Sequence, residues 1–142
     1  MPGVFEFPLI VEGRQIDGQG HASNIAYLEW MQAAAMSHST AQGWPAERYR
    51  RLGCGWVVRS HKIEYRQPTF AGQAIVVRTW VATMRRASSL RRYEIRRAED
   101  NGLLAVAETN WAFVSYASGA PAKIPPELAQ SFVVVPEETA AR

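Results

Sequence analysis

Residues 17–43 read Asp17-Gly-Gln-Gly20-His21-Ala-Ser23-Asn24-Ile-Ala-Tyr27-Leu-Glu-Trp30-Met-Gln-Ala-Ala-Ala-Met-Ser-His38-Ser-Thr-Ala-Gln-Gly43, and this stretch decides the fold. A Gly-rich lead-in opens onto a long apolar helix. Between Ile25 and Met36 only Glu29 and Gln32 break the apolar surface, and a helix apolar nearly all round has to be buried on most of its faces. Ser23 suits the N-cap, although Ala26 at the third helical position leaves the capping box incomplete. Gly43 suits the position just past the end, and Pro45 enforces a stop. The spacing predicts about 19 helical residues, roughly 28 Å at about 1.5 Å per residue. Glu29, Gln32, Ser37, His38 and Ser39 make it unfit to span a membrane. His38 reads as an ordinary helix residue. The rest of the chain must wrap this helix.

Before the helix, residues 4–11 alternate and predict a strand, with Pro8 placing it at a sheet edge or a bulge. Residues 44–51 predict a short second helix with a basic end at Arg48, Arg50 and Arg51. From Gly55 the period changes to two. Residues 56–65 form a strand with Val57, Arg59, His61, Ile63 and Tyr65 on one face. A turn at 67–72 leads to a long strand, 73–85, with Ile75, Val77, Thr79, Val81 and Thr83 on one side. After a tight connection at 86–88 comes a strand at 89–97, in which Arg91, Tyr93, Ile95 and Arg97 alternate with Leu90, Arg92, Glu94 and Arg96. Asn101-Gly102 is a strong hairpin signal, and residues 103–116 form the last strand. Residues 118–126 are turn-rich, and the tail offers one short element at 132–135. Short turns make the last four strands antiparallel neighbours, and their length suits a sheet curling round the helix. The fold class is α+β, a single domain over 1–142 in which one curved antiparallel sheet of about five strands wraps one helix.

Composition narrows the function. A chain of 142 residues with 47% hydrophobic and 20% charged residues is an ordinary globular domain with a real core. The N-terminus carries no secretory pattern and Cys54 stands alone, so the expectation is a cytoplasmic protein with Cys54 structural. Net charge is +3, and fourteen of the sixteen basic residues are Arg. Arg favours planar oxyanions, so the excess reads equally as a phosphorylated ligand's seat or as a solvated face. No metal-ligand spacing or phosphate-binding Gly loop is present. Without aromatic residues interleaved among the basic ones, a nucleic-acid partner is not expected.

The residues then resemble a known family, the hotdog-fold acyl-CoA thioesterases of the 4-hydroxybenzoyl-CoA thioesterase-like branch. The lead-in Asp17-x-x-Gly20-His21-x-x-Asn24-x-x-Tyr27-x-x-Trp30 is similar to that branch's signature. So are the segment from Val57 through Ile63-Glu64-Tyr65-Arg66-Gln67-Pro68, the basic turn Arg85-Arg86-Ala-Ser88, and Pro121-Ala-Lys123-Ile124-Pro125. The likeness covers residues 4–128. It implies a hotdog fold and hydrolysis of an acyl- or aroyl-CoA without metal or redox cofactor. It implies a homodimer, or a homotetramer built from it, with sheets paired edge to edge and active sites at the subunit interface.

Carried over residue by residue, Asp17 becomes the catalytic carboxylate, as nucleophile or general base. Read alone, Asp17-Gly18 is equally a turn pair. Gly20 leads into the helix N-terminus, where unpaired N–H groups and the helix dipole stabilise a developing oxyanion. Asn24 matches the family's carbonyl-polarising N–H, or its side chain serves only the cap. His21 either orients the carbonyl and the Asp17 loop or is a structural loop histidine; many family members carry an apolar residue there. Tyr27, Trp30 and Trp56 suit either an aromatic acyl pocket or the core. Arg59 and His61, read as inward-facing, either line the acyl pocket and favour a polar or carboxylated acyl group, or are paired structurally. Arg85, Arg86 and Ser88 fall where the family places the nucleotide and pyrophosphate of coenzyme A.

Two other readings stand beside hydrolysis. An enoyl-CoA hydratase or dehydratase of the same fold would use Asp17 and His21 as an acid–base pair. A non-catalytic module would use the basic residues on acyl-CoA, RNA or an acyl carrier protein, with strong salt dependence. Acyl carrier protein is also an alternative thioester donor, and the sequence leaves the acyl group open.

Overall fold

A computed structural model of the chain describes residues 2–136. Its strands are β1 (Phe5–Ile10), β2 (Cys54–Tyr65), β3 (Ala74–Met84), β4 (Ser88–Arg97) and β5 (Leu103–Ser115). Its helices are α1 (Asn24–Ala41), α2 (Ala46–Leu52) and α3 (Pro126–Gln130), with one 3-10 turn at Gly13–Gln15. The five strands form one antiparallel sheet in the order β1-β3-β4-β5-β2. The sheet curls round α1, the hotdog arrangement that the resemblance implies. No helix among the described residues is long and apolar enough to cross a membrane.

The long helix forms where its end signals place it. Ser23 caps it by accepting the Ala26 N–H at 3.3 Å, and Gly43, at φ 92°, takes the left-handed conformation just beyond its last residues. Ser23→Ala should therefore lower stability by about 1 kcal/mol, read as a shift in urea midpoint with unchanged slope. Ala26, Tyr27, Trp30, Met31, Ala34, Ala35 and His38 make one buried stripe. Ala26 and Ala34, at 1% and 0% exposure, bring the helix backbone close to Ile75, Val77, Tyr93, Ile95 and Leu104 of the sheet. The expected burial on most faces is not found: Ile25 and Met36 are 70% and 63% exposed. The sheet covers one side of the helix and leaves the other open, where Ile25 and Met36 stand beside the exposed Glu29 and Gln32.

The strand pairing also differs from the sequence reading. β2 is not a neighbour of β3; it pairs with β5 at the far edge. The link from 66 to 73 is therefore a crossing connection, spanning three inter-strand steps of about 4.8 Å each. It passes the N-terminus of α1 and is tied to it. Thr69, fully buried, accepts the Ala22 N–H through its carbonyl at 2.7 Å and meets the Tyr27 hydroxyl at 2.7 Å.

Two bulges reset the faces. In β2 the register slips between Val58 and Ser60, so Arg59 is the extra residue. Trp56, Val58, His61, Ile63 and Tyr65 then face the helix, opposite Phe113, Trp111, Thr109, Ala107 and Ala105. Val57 and Arg59 do not share that face. A second slip between Val81 and Thr83 likewise moves Thr83 off the face of Ile75, Val77, Thr79 and Val81. In the tail, 132–135 makes a bridge from Val134 to Val81; the expectations beyond residue 136 lie outside the described residues.

Much of the arginine excess is already engaged. Arg78 reaches Glu94 at 2.8 Å and Glu6 at 3.4 Å, Arg96 reaches Glu94 at 3.3 Å, and Arg92 reaches Glu108 at 3.6 Å. Arg97 pairs with Asp100 at 2.8 Å.

Candidate functional site

The lead-in folds into a tight loop that projects a carboxylate. The Asp17 N–H donates to the His21 carbonyl at 2.8 Å, and the Gly20 N–H donates back to the Asp17 carbonyl at 3.1 Å. Gly20 sits at φ 84°, a conformation that costs glycine nothing. The Asp17 Oδ1 accepts the Gln19 N–H at 2.8 Å and the His21 N–H at 3.4 Å. Both contacts fall on one oxygen. Ile16 and Ala22 bridge across the loop base, and the helix starts two residues later.

A cavity of about 370 Å³ opens here, lined by Asp17, His21, Asn24 and Tyr27 from the lead-in and helix, by Tyr65 at the end of β2, and by Arg66, Gln67 and Pro68 from the crossing connection. Asn24 and Ile25 begin α1 with no preceding turn to accept their N–H groups, so the positive end of the helix faces a carboxylate-bearing loop. His21 meets Asp17 through its backbone; its ring packs edge-on to Phe70, centroids 5.4 Å apart. Tyr27 and Tyr65 stack edge to face at 5.0 Å. Burial pushes the Tyr27 phenol up from its ordinary value, partly offset by its bond to Thr69, so it stays neutral. Gln67 is held by Arg97 at 2.7 Å.

Four of the ten residues singled out from the sequence thus line one cavity, and Gly20 shapes its loop. The other five lie elsewhere. His61 is half-buried in β2, its Nδ1 at 2.8 Å from Thr109 Oγ1, which also accepts the Tyr93 hydroxyl; burial lowers its pKa. Arg59 is exposed at the bulge. Arg85 and Arg86 are exposed in the β3–β4 turn, with Ser88 half-buried at the start of β4. β3 begins beside the Asp17 loop, where the Val11 N–H meets the Gln73 carbonyl, and runs roughly 33 Å, at about 3.3 Å per residue, to that turn. The carboxylate and the basic turn stand at opposite ends of the chain's fold. Tyr65, Arg66, Gln67 and Pro68 received no site role from the sequence; recognising 66–73 as a crossing link would have brought them here.

His38 is not an ordinary helix residue. It is buried between Phe5, stacked at 5.1 Å, and Phe132, edge-on at 5.1 Å. Its Nδ1 lies 2.9 Å from Arg91 Nη1, and since arginine only donates, that nitrogen accepts and the ring is neutral. Burial, reinforced by the Arg91 charge, lowers its pKa to about 4. The unfolded chain takes up this proton near the ordinary value of about 6.5. His38 therefore favours the folded state above about pH 6.5, and that advantage drains away as pH falls towards 4. The ceiling is about 3 kcal/mol. Thermal unfolding of wild type and His38→Gln, compared from pH 7 to 4.5, should show a steeper acid loss in the wild type; parallel curves would exclude the effect.

A family model described as the thioesterase-like superfamily matches residues 11–132. No curated protein matches the chain closely enough to carry an argument. Among solved structures, the chain is similar to a 1,4-dihydroxy-2-naphthoyl-CoA thioesterase from Synechocystis, at TM-score 0.84 and 20% identity over 91% of this chain and 95% of that one. It is also similar to a putative oleoyl thioesterase from Lactobacillus plantarum, at TM-score 0.87 and 22% identity over 96% of this chain and 54% of that one. A Staphylococcus aureus protein solved in complex with CoA matches at TM-score 0.84 and 13% identity, over 97% and 93% of the two chains. These likenesses establish a shared fold.

Proposed function

The chain belongs to the thioesterase-like superfamily, and from that premise we propose that it is an acyl-CoA thioesterase releasing a free acid and coenzyme A. The observation that carries this reading is the shared cavity of Asp17, His21 and Asn24 at the N-terminus of α1. The thioester carbonyl sits against the first N–H groups of the helix, which take up the negative charge as the tetrahedral adduct forms. Asp17 Oδ2, opposite the oxygen tied to the loop, either removes a proton from the attacking water or attacks the carbonyl itself, giving an anhydride that water opens. One water is consumed, the C–S bond breaks, and the thiol leaves with a proton. His21 holds the loop through its backbone and presents its ring to the acyl group. No cofactor is needed for this chemistry.

In this reading a second copy brings the basic turn to the same site. β2 is an open edge, and two-fold antiparallel pairing of β2 with its copy sets the Tyr65 end of one strand beside the Cys54 end of the other. Cys54 pairs with Ser115 and Ser88 with Ala112, so the second copy's turn at 85–88 approaches the first copy's Asp17 end. Phosphates of coenzyme A then meet Arg85 and Arg86 across the interface. The exposed Ile25, Met36 and Val57 become interface, in a homodimer or a pair of such dimers. Acyl carrier protein is an alternative donor, and a cytoplasmic setting suits a chain whose only thiol is Cys54. Free-thiol release from aromatic, short, medium and long acyl-CoAs tests the reading. Turnover of any of them supports it, and none from a folded dimer, on CoA or carrier-protein donors, would overturn it.

A further inference from the structure

A second cavity, about 520 Å³, lies at the other end of α1, roughly 22 Å from Asn24 at about 1.5 Å per residue. Its walls are aromatic and apolar, led by Trp44, Trp56, Trp111, Met36, Met84 and Phe132. In that wall stands Arg91, only 6% exposed. Its Nη1 donates to His38 at 2.9 Å and to Thr79 at 3.1 Å. Both acceptors are neutral. Arg92, Arg96 and Arg97 on the same strand each meet a carboxylate, whereas among the described residues no carboxylate stands within ion-pair reach of Arg91.

A guanidinium carries five donors, and a buried cation is tolerated only when its charge is answered. The hydroxyls of Ser39, Tyr49 and Ser89 in the wall are already engaged: Ser39 donates to the Trp44 carbonyl, Tyr49 bonds Ser39 and accepts the Trp56 indole N–H, and Ser89 donates to the Thr83 carbonyl. The unanswered demand is therefore one positive charge on a planar fork, in a chamber otherwise shaped for rings. We propose that this cavity binds a carboxylate with an aromatic or apolar body, the carboxylate paired with Arg91 and the body against the tryptophans. A guanidinium matches a carboxylate edge to edge. One buried cation balances a monoanion, whereas a phosphoryl dianion would leave a charge in an apolar wall; Arg50, the other cation of the lining, stands exposed. The carboxylate belongs either to the far end of an acyl group whose thioester sits at the second copy's Asp17, which the proposed two-fold pairing brings to this end, or to a free acid.

Binding is measured without turnover, so this inference does not stand or fall with hydrolysis. Calorimetric titration of the protein with benzoate and 3-phenylpropionate, each beside its amide, should show the acid binding at least about tenfold more tightly than the amide. Arg91→Met keeps the aliphatic stem and removes the charge, and should equalise acid and amide. Ala35→Leu, which fills the cavity with Arg91 in place, should weaken both and serves if the first variant does not fold. Equal affinity of acid and amide in the wild type, no binding of either, an acid preference that survives Arg91→Met, or binding indifferent to Ala35→Leu would each overturn the proposal. A hydrolysis arm separates the sources and rests on the thioesterase reading. If the acyl group supplies the carboxylate, the CoA monothioester of an α,ω-diacid is cleaved about tenfold better than that of the matching monoacid, and Arg91→Met removes the difference. If a free acid supplies it, both thioesters are cleaved alike and added phenylpropionate changes both rates together.

Discussion

Asp17→Asn should reduce thioester hydrolysis by about 10³-fold or more while KM, folding and oligomeric state stay near those of the wild type. The amide keeps an oxygen where Asp17 accepts the Gln19 and His21 N–H groups at 2.8 and 3.4 Å, so the loop and the helix entrance are preserved. What is lost is the negative charge and proton affinity of the other oxygen, which the reaction uses in either of its two forms. The exposed, loop-borne position of Asp17 makes the comparison clean, because no packing is disturbed. Single-turnover release of thiol, followed with Ellman-type detection alongside a thermal melt, gives both quantities. A variant retaining more than about a tenth of wild-type kcat would remove Asp17 from the chemistry.

Phe113→Ala should cost about 3–5 kcal/mol of stability, a large share of what a domain of this size possesses. Phe113 is fully buried in β5, packs edge-on against Trp56 at 4.9 Å, and centres the cluster with Trp44, Tyr49, Val81, Ile124 and Leu128. Its backbone is pinned on both sides: its N–H meets the Ala87 carbonyl and its carbonyl accepts the Ala122 N–H, each at 2.9 Å. A site so held cannot collapse around the missing ring, which puts the cost in the upper part of the range. The urea midpoint should fall sharply, against less than about 1 kcal/mol for Val57→Ala at the exposed edge. Equal effects from the two substitutions would contradict the packing of this second core cluster.

Features written in local sequence were legible; those set by non-local pairing were not. The long helix was readable because Ser23 and Gly43 mark its ends with their own chemistry. The Asn101-Gly102 hairpin was readable for the same reason, Asn101 sitting at φ 61°. Strand order was hidden, since eight residues between two strands look like a hairpin until their partners are known. Tyr65 to Pro68 were missed as a cavity wall on that account. Single extra residues in β2 and β3 reverse which face a side chain takes, so alternation placed Val57, Arg59 and Thr83 on the wrong side. His38 and Arg91 lie 53 positions apart and meet only in three dimensions. Asp17, His21 and Asn24 were legible as a group because loop and helix keep sequence neighbours together.

The extra residue in β2 also bears on what the open edge of the sheet can pair with. An edge strand of twelve residues, open on the side away from β5 and with Val57 and Val58 partly in solvent, is a template for runaway fibril growth. At Arg59 the row of backbone donors and acceptors is interrupted, the strand bends, and a charge is thrust outward, with Lys62 and Arg66 exposed beyond it. A flat foreign strand cannot zip along such a margin from end to end. Under the two-fold pairing proposed above, a second copy bent in the same way by its own Arg59 would fit that margin, and the closed pair would leave no β2 edge open for further growth.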